Sequence, residues 1–517
     1  MPRRLRIPSG LLTAGLVVAA LVLLPLTYTI NEALQVDRQD AIDLVFRPLV
    51  GELLLNTLSL VLATTLLSAV LATAAAWCVE RTDLPGRQVW GVLAAVPLAI
   101  PAFVSSFAWI SLSLRLQDFA GAVVVVTCSY YPLVYLPVAA ALRGMDPALE
   151  ETARALGQTG WGSFRRVVLP QLRPALLGGM LLVALDTLVE FGALSLLRFR
   201  TFTTEIYAEY RTGFDPSEIA LLAMILLALC LVCLAAELWV RGGARYARVG
   251  RGSRRASTPH RLGRARYPVL AGFALLVVAT LGIPLGMITY WLTQHGSAAI
   301  TPEAVSAPAL LSATFSSLQL GAAGAAASLL LAFPLAMLAT QYDSRLVTLV
   351  ERSAYLAQGT PGIVVALALV SLTVQRMQSL YQSEALLIIA YAILFLPLAL
   401  VSTRVALAQV QRGLQDAGRS LGLGWIAVLW RVLLPLAGPG LGAAAAMVFV
   451  SVMTELTATL LLAPIGTRTL ATQVWANTSS LAFAAASPYA ALMTLISLLS
   501  AWLLARRFGA TALSGTR

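Results

Sequence analysis

Long apolar stretches separated by short polar loops are the feature of this 517-residue chain that most limits its possible folds. A helix needs about 20 apolar residues to cross a bilayer. Inside lipid, every backbone polar group must find its partner within the spanning structure, so these stretches predict helices. The twelve candidate spans lie near residues 10–30, 52–79, 88–112, 120–143, 174–197, 217–240, 268–292, 311–340, 350–373, 384–406, 437–463 and 485–505.

The composition agrees with a lipid environment. Hydrophobic residues make up 59% of the chain and charged residues only 12%, whereas roughly a quarter of the residues in a soluble domain are charged. The formal net charge is +12, and all 36 basic residues are arginine. Because the arginines lie in short loops beside apolar stretches, they indicate membrane orientation, and nucleic acid is not expected as a partner.

The placement of arginine predicts which side each loop faces, because basic residues accumulate in cytoplasmic loops. Arginines precede the first span, fill the segment 241–267 and follow the last span at Arg506 and Arg507. The loop 293–310 contains no basic residue. We therefore expect both termini on the cytoplasmic side, and we interpret the first apolar run as a retained span rather than a signal peptide.

Two cytoplasmic loops repeat each other. Glu150 to Pro170 matches Gln415 to Pro435, with equivalent residues 265 positions apart. The same register relates Pro132 to Pro397 and Glu190 to Glu455, and it changes to 260 further upstream, as for Pro101 and Pro361. Each half then carries an even number of spans, so the repeats are predicted to be parallel.

Each repeated loop predicts a short pair of helices. In the first loop Asp146 is a candidate N-cap, with Pro147 in the first turn and Gly157 just past the end. An amphipathic helix with Trp161, Phe164 and Val168 on one face follows, and Pro170 is expected to end it.

The two loops resemble the EAA motif of ATP-binding-cassette importer permeases. That motif reads Glu-Ala-Ala, three residues, Gly, nine residues, an aliphatic residue, any residue and Leu-Pro. The first copy fits at Glu151-Thr152-Ala153, Gly157, Val167 and Leu169-Pro170, and the second at Asp416-Ala417-Gly418, Gly422, Val432 and Leu434-Pro435. The chain departs from the motif at Thr152, Asp416 and Gly418, and the shorter acid suggests that the second loop engages its partner differently.

The resemblance implies a fold, partners and a role for these residues. The fold would be all-α and polytopic, with about 12 transmembrane helices in two parallel six-helix repeats, as in the MetI-like type I importer domain. Each loop would be a coupling helix in a groove of a separate ATPase subunit, and two such subunits, as a homodimer, would bind ATP and Mg²⁺. An extracytoplasmic binding protein would deliver the solute, and the chain would lie in a bacterial inner membrane. The residues expected to couple to the ATPase are Glu151, Ala153, Gly157, Leu169, Pro170, Asp416, Ala417, Gly422, Leu434 and Pro435.

The repeat and the resemblance also predict a division of the chain. The expected segments are 1–50, a first helix and loop; 51–240, a first type-1 transmembrane domain; 241–267, an arginine-rich linker; 268–310, the seventh helix and a loop; 311–505, a second type-1 domain; and 506–517, a cytoplasmic tail.

Within the superfamily, the chain is most similar to ferric-iron permeases with two fused halves. Two stretches carry this similarity, Thr187 to Tyr207 and Thr454 to Trp475. Importers of thiamine, polyamines, sulfate or phosphonates share the architecture and stay as alternatives. An ATP-independent secondary transporter is an alternative from another class, although it offers no reason for duplicated loops.

Three acids in spans five and eleven are candidates for the solute pathway: Asp186, Glu190 and Glu455. A charged group at membrane depth costs about 2.5 kcal/mol or more, so such groups usually face a bundle interior or a water path. Carboxylates suit a hard cation such as ferric iron. Hydrogen bonding between helices would equally explain them, and both interpretations stay open.

Catalytic and metal sites are not expected. A phosphate-binding loop needs a lysine that the chain lacks, so ATP hydrolysis must come from partner subunits and no cofactor is predicted for this chain. The histidines, His260 and His295, are too few for a metal cage. Cys230 and Cys233 lie inside an apolar span, which favours packing over a redox or zinc site.

Overall fold

The computed structural model describes residues 8–213, 216–243, 259–294, 306–342 and 344–514. Residues 244–258 of the arginine-rich segment 241–267 lie outside these ranges. Residues 295–305 of the loop 293–310, which include His295, also lie outside them. Helices form nearly all of the described part, which contains no β-strand and a single isolated bridge, between Thr82 and His260. The expected all-α class is confirmed.

The first half contains thirteen α-helices. They are α1 (Ser9–Leu34), α2 (Arg38–Val45), α3 (Pro48–Arg81), α4 (Arg87–Ala95), α5 (Ala102–Leu112), α6 (Phe119–Tyr130), α7 (Pro132–Gly144), α8 (Pro147–Ala155), α9 (Gly160–Ser163), α10 (Leu169–Val189), α11 (Gly192–Leu196), α12 (Phe202–Thr212) and α13 (Pro216–Gly243).

The second half repeats this order with twelve α-helices. They are α14 (Arg266–Val277), α15 (Ile283–Thr293), α16 (Ala307–Gln341), α17 (Arg345–Leu356), α18 (Gly362–Arg376), α19 (Glu384–Ala408), α20 (Arg412–Ser420), α21 (Trp425–Val428), α22 (Leu434–Met453), α23 (Thr457–Leu462), α24 (Leu470–Ser479) and α25 (Phe483–Ser514). Short 3₁₀ turns cover Val96–Ala99, Leu114–Leu116, Gly263–Ala265 and Ala357–Gly359, and π-turns cover Phe164–Val168, Val278–Gly282 and Leu429–Leu433.

Within the described ranges, nine helices are long and apolar enough to cross a membrane, and three bent pairs raise the total to twelve. The predicted number of twelve is reached when each bent pair is counted as one span, and these three spans are not straight. The third and ninth bend by 95° and 103°, at Pro101 and Pro361, which are equivalent in the repeat. Proline lacks an N–H donor and disfavours helical geometry in the residue before it, so both halves break at the same place.

The expectation that Pro170 ends its helix is wrong. One helical rod runs from Gly160 to Val189 and carries Pro170 near its middle. The π-turn just before it is wider than an α-turn, and the Leu169 N–H bonds to the Phe164 carbonyl five residues back. That turn places the proline in the first turn of a new α-helical segment, where a missing donor does no harm. The second half repeats the arrangement at Pro435, after its own π-turn.

Spans five and eleven also end earlier than predicted. α10 stops at Val189 and α22 at Met453, and the short helices α11 and α23 follow each break. Glu190 and Glu455 therefore lie in helix breaks rather than within continuous spans. The apolar runs continue through the breaks, so hydropathy alone could not locate them.

The two halves exchange their first spans. α1 packs on α16, α17 and α18 of the second half as well as on α13, and Gly15 of α1 faces Leu338 and Val350. In return, α14 and α15 pack on α4 and α5 of the first half, where Phe273 meets Trp90 with ring centroids 5.6 Å apart. Buried apolar contacts therefore join the halves on both sides.

Adjacent glycines in α10 give a matched test of helix packing. A Cβ on Gly179 would lie 2.8 Å from the Val134 Cα in α7, whereas one on Gly178 would meet nothing within 4 Å. Gly179→Ala must push two backbones apart and should cost about 1–3 kcal/mol. Gly178→Ala should be neutral or stabilising, because alanine favours helix. Thermal unfolding in detergent measures both, and equal melting temperatures would contradict the close contact.

Candidate functional site

The first predicted coupling loop is a short helix with both ends capped. The Asp146 carboxylate accepts the Ala148 N–H at 3.0 Å and so caps the start of α8, as expected. At the other end Gly157 has a φ of +84°. Its N–H bonds to the Arg154 carbonyl at 2.9 Å, and the Gln158 N–H bonds to the Ala153 carbonyl at 3.1 Å. This Schellman arrangement needs a left-handed residue, which explains the glycine.

The second loop has the same turn. Gly422 also has a φ of +84°, and its N–H reaches the Arg419 carbonyl at 3.0 Å. The Leu423 N–H bonds to the Gly418 carbonyl at 3.1 Å. The start of α20 differs, because Gln411 provides no side-chain cap. The two turns are therefore geometrically alike although their helices begin differently.

Both loops present apolar side chains to solvent. Leu156 and its equivalent Leu421 are 79% and 83% exposed. Trp161 and its equivalent Ile426 are also exposed. Apolar side chains clustered on a protruding loop indicate a surface that another protein covers.

The predicted coupling residues occupy different environments. Glu151 and Asp416 are exposed, and neither carboxylate has a hydrogen-bond partner in the described part of the chain, so neither caps its own loop. Ala153 is buried, whereas Ala417 is exposed; the buried equivalent of Ala153 is Gly418. The Leu-Pro pairs lie in the first turns of α10 and α22, at Leu169, Pro170, Leu434 and Pro435.

A buried acid beside Glu151 escaped the sequence analysis. Glu150 is only 7% exposed. It pairs with Arg154 at 3.0 Å and with the His260 ring at 2.8 Å. The spacing of Glu150 and Arg154, four residues apart on one helix, was the available signal. His260 lies far away in sequence and gave none.

The two glutamates at the helix breaks have equivalent roles in the backbone. The Glu190 carboxylate accepts the Ala193 N–H at 2.7 Å, and the Glu455 carboxylate accepts the Ala458 N–H at 3.0 Å. Each side chain thereby caps the short helix that follows its break. Both are partly exposed, and the two breaks meet at the boundary between the halves, where Leu456 lies against Gly192.

The surroundings of these acids are not symmetric. The Tyr130 hydroxyl donates to the Glu190 carboxylate, but the equivalent residue near Glu455 is Phe395, which has no hydroxyl. Asp186 lies one turn before Glu190 and is partly exposed, with no hydrogen bond to the described residues. Its equivalent in the second half is Ser451. The structure thus brings Asp186, Glu190 and Glu455 into one region, with more polar groups from the first half.

An aromatic contact joins the two halves next to the glutamates. Tyr207 of α12 and Trp475 of α24 meet edge to face, with ring centroids 5.8 Å apart. Phe191, next to Glu190, is buried and packs on both rings. Tyr207 and Trp475 are 268 positions apart, as are the capping threonines Thr201 and Thr469. The sequence analysis missed this contact, although the repeat relates its two residues.

The threonines in this region satisfy backbone groups. Thr201 and Thr469 each form a capping box with a threonine three residues later. The Thr203 hydroxyl donates to the Glu190 carbonyl at 2.7 Å. In each half a side-chain hydroxyl of a long helix, α3 or α16, accepts the N–H of the residue after the capping threonine. The Thr57 hydroxyl accepts the Phe202 N–H, and the Ser317 hydroxyl accepts the Leu470 N–H.

No cluster of three or more His, Cys, Asp or Glu side chains with metal-binding geometry occurs among the described residues. Cys230 is buried, and the Cys233 thiol lies 3.6 Å from the Leu181 carbonyl. Both cysteines therefore pack between helices.

Two segments of the chain, residues 69–242 and 328–508, match the family described as the binding-protein-dependent transport system inner membrane component. The chain belongs to this family. It is a polytopic permease subunit of an ATP-binding-cassette importer, a transport component rather than an enzyme, and it works with an ATPase and a solute-binding protein. The predicted function class and the inner-membrane location are confirmed.

The permease is similar over nearly its whole length to the Fe(3+)-transport system permease protein FbpB 2 of Haemophilus influenzae. The two are 38% identical over 98% of this chain and 99% of the relative. The sulfate transport system permease protein CysT of Salmonella typhimurium is 29% identical over 43% of this chain and 87% of its own length. The molybdenum transport system permease protein ModB of Escherichia coli is 27% identical over 32% of this chain and 82% of its own length.

The glutamate caps give a test that separates charge from hydrogen bonding. Glu455→Gln keeps an oxygen that can accept the Ala458 N–H, so its melting temperature should stay near that of the wild type. Glu455→Ala leaves that donor unpaired and should cost about 1 kcal/mol. Glu190→Ala should cost more, because the Tyr130 hydroxyl also loses its acceptor. Thermal unfolding in detergent reports all three, and an alanine variant as stable as the glutamine variant would contradict the cap.

Proposed function

We propose that this permease imports ferric iron, and that Glu190 and Glu455 line its path. The observation that carries the proposal is the pair of carboxylates at equivalent helix breaks, which are partly exposed and lie where the two breaks meet, with Leu456 against Gly192. A hard, highly charged cation prefers carboxylate oxygen. The relative that matches both halves is named for Fe(3+) transport, which agrees with this chemistry.

The negative charge of the proposed path also distinguishes anionic from cationic alternative substrates. Sulfate and phosphonates are anions, and Glu190, Glu455 and Asp186 would repel them unless protonated. The sulfate and molybdenum relatives cover less than half of this chain. Thiamine and polyamines carry positive charge, so their uptake must be compared directly with that of iron.

Access to the glutamates from the outer side would be controlled by the aromatic contact. Tyr207, Trp475 and Phe191 fill the space between the halves beyond the glutamates. Because Tyr207 and Trp475 come from different halves, a rocking motion of one half against the other would separate them and open the path. We therefore infer that the conformation described here is closed on the side opposite the loops.

The motion would originate in the ATPase partners. We infer that two ATPase subunits, as a homodimer, cover Leu156 and Leu421 and engage Glu151 and Asp416, with ATP and Mg²⁺ bound between them. The left-handed glycines fix the turn that presents these groups. Both termini and both loops would then lie on the cytoplasmic side, as the arginines predict.

Substituting the turn glycines tests the docking of the ATPase. In Gly157→Val and Gly422→Val, a β-branched residue at a φ of +84° is strained by about 1–2 kcal/mol, so the turn should rearrange. We expect loss of ATPase co-purification and of ATP-dependent uptake. Gly160→Val, in the same loop outside the turn, is the control and should retain both. Normal co-purification and uptake in the double variant would refute the docking model.

Uptake into membrane vesicles tests the substrate and the acids together. Wild-type vesicles with ATP and the binding protein should accumulate labelled ferric iron and exclude sulfate, thiamine and polyamines. Glu190→Gln with Glu455→Gln keeps the caps and removes both charges, so iron uptake should fall by an order of magnitude or more, because each lost carboxylate contact is worth about 1.4 kcal/mol or more. Full iron uptake by this variant would show that the two acids serve only in helix packing. Uptake driven by an ion gradient without ATP would indicate a secondary transporter.

A further inference from the structure

The C-terminal part of the arginine-rich segment 241–267 is bound to the first coupling loop through His260. The His260 N–H donates to the Arg81 carbonyl at 2.8 Å, and its carbonyl accepts the Asp83 N–H at 3.1 Å. The Leu262 N–H donates to the Asp83 carboxylate at 2.7 Å. The backbone at His260 is thus bound to the cytoplasmic end of α3, and its side chain is free to point at α8.

The imidazole completes a polar cluster between α3 and α8. One ring nitrogen, Nε2, lies 2.8 Å from the Glu150 carboxylate. The Arg154 guanidinium lies beside both ring nitrogens, 3.0 Å from Nδ1 and 2.9 Å from Nε2. The imidazole is therefore held between the carboxylate and the guanidinium of α8, both of which lie within hydrogen-bond distance of it. The ring also stacks on Trp77 of α3, with centroids 5.7 Å apart and an interplanar angle of 22°. The ring therefore has a partner on one face and polar partners at both nitrogens.

The buried arginine of α3 strengthens the same connection. Arg81 is 3% exposed. Its guanidinium donates to the Leu142 carbonyl at 3.1 Å, at the end of α7, and it interacts electrostatically with Glu150. The helices α3, α7 and α8 are thereby tied together around one carboxylate.

In the described part of the chain, the equivalent place in the second half lacks counterparts of Glu150, Arg81 and His260, although Arg404, Asp416 and Arg419 line it. Gln341 replaces Arg81 and Gln415 replaces Glu150, and these two side chains share one hydrogen bond of 3.3 Å. Met337 replaces Trp77. A cleft of about 520 Å³ lies among these residues, at the position that His260 fills in the first half. Arg419, the equivalent of Arg154, has no hydrogen-bond partner in the described part of the chain.

We propose that His260 is a positioning residue that straps the first coupling helix to α3, which makes the two coupling loops mechanically unequal. When the partner ATPase moves the first loop, α3 moves with it. The second loop can instead shift relative to α16, because a cleft lies between them. This inference rests on the proposed coupling function for its consequence in transport, but the strap itself is a property of the permease alone.

Spin labels at Leu156 and Leu421 test the strap without any partner. These residues are equivalent and comparably exposed, so a difference between their spectra reports loop mobility. Each is changed to cysteine in a background that lacks the native cysteines Cys78, Cys128, Cys230 and Cys233. We expect the label at position 156 to be the less mobile. His260→Leu should raise the fraction of mobile 156 label about tenfold, because a hydrogen bond to a charged group is worth at least that factor, and leave the 421 label unchanged.

Two matched variants separate the strap from a general loss of structure. His260→Gln supplies one amide donor for Glu150 and one carbonyl acceptor for Arg154, so it should restore the immobile 156 spectrum. Gln415→Leu breaks the amide pair of the second half and should leave the 156 spectrum unchanged. Equal mobility at 156 and 421 in the wild type, or an immobile 156 label in His260→Leu, would overturn the proposal.

The transport consequence is measured as ATP hydrolysed per solute imported by the reconstituted importer. His260→Leu should raise this ratio severalfold and His260→Gln should not. A mobile 156 label with an unchanged ratio would show that His260 plays no part in coupling, which also overturns the proposal. Import that needs no ATP in the wild type would instead refute the proposed function, while the spectra still decide whether the strap exists.

Discussion

The interior of this permease depends on how broken helices satisfy their backbone groups. A buried polar group without a partner costs at least about 2 kcal/mol in an apolar environment, and lipid offers no water to replace it. The chain nevertheless interrupts its spans near Pro101, Glu190 and their equivalents. At the glutamate breaks, a carboxylate accepts the next free N–H. The same side chains that hold the backbone together thus place two carboxyl groups at the boundary between the halves.

Long-range periodicity in the sequence predicted much of this structure. Twelve apolar stretches, one repeated register and a glycine at each loop turn follow from rules that act over a few residues or over the whole chain. The helix breaks and π-turns were not predictable in the same way, because hydropathy does not change where hydrogen bonding does. Pro170 is an example. A proline inside a helix usually ends it, but after the wider π-turn Pro170 lies in the first turn of the next α-helix.

The contacts that sequence analysis missed join residues far apart in the chain. Tyr130 reaches Glu190, and His260 reaches Glu150. Neither pair shares a helix or a repeat position, and a lone histidine in an arginine-rich segment carries no pattern. The meeting of Tyr207 and Trp475 is different, because they occupy equivalent positions in the two halves, 268 residues apart like Thr201 and Thr469. It could have been predicted from the register.

The exchange of first spans has a consequence for how the permease is made. α1 ends at Leu34, whereas α16, the first of the second-half helices that it contacts, begins at Ala307. A ribosome adds about 5–20 residues per second, so α1 must wait in the bilayer for on the order of tens of seconds. During that interval lipid or a chaperone must cover the surface that Val18 and Val22 later bury. Biogenesis of the first half is therefore finished only when the second half arrives.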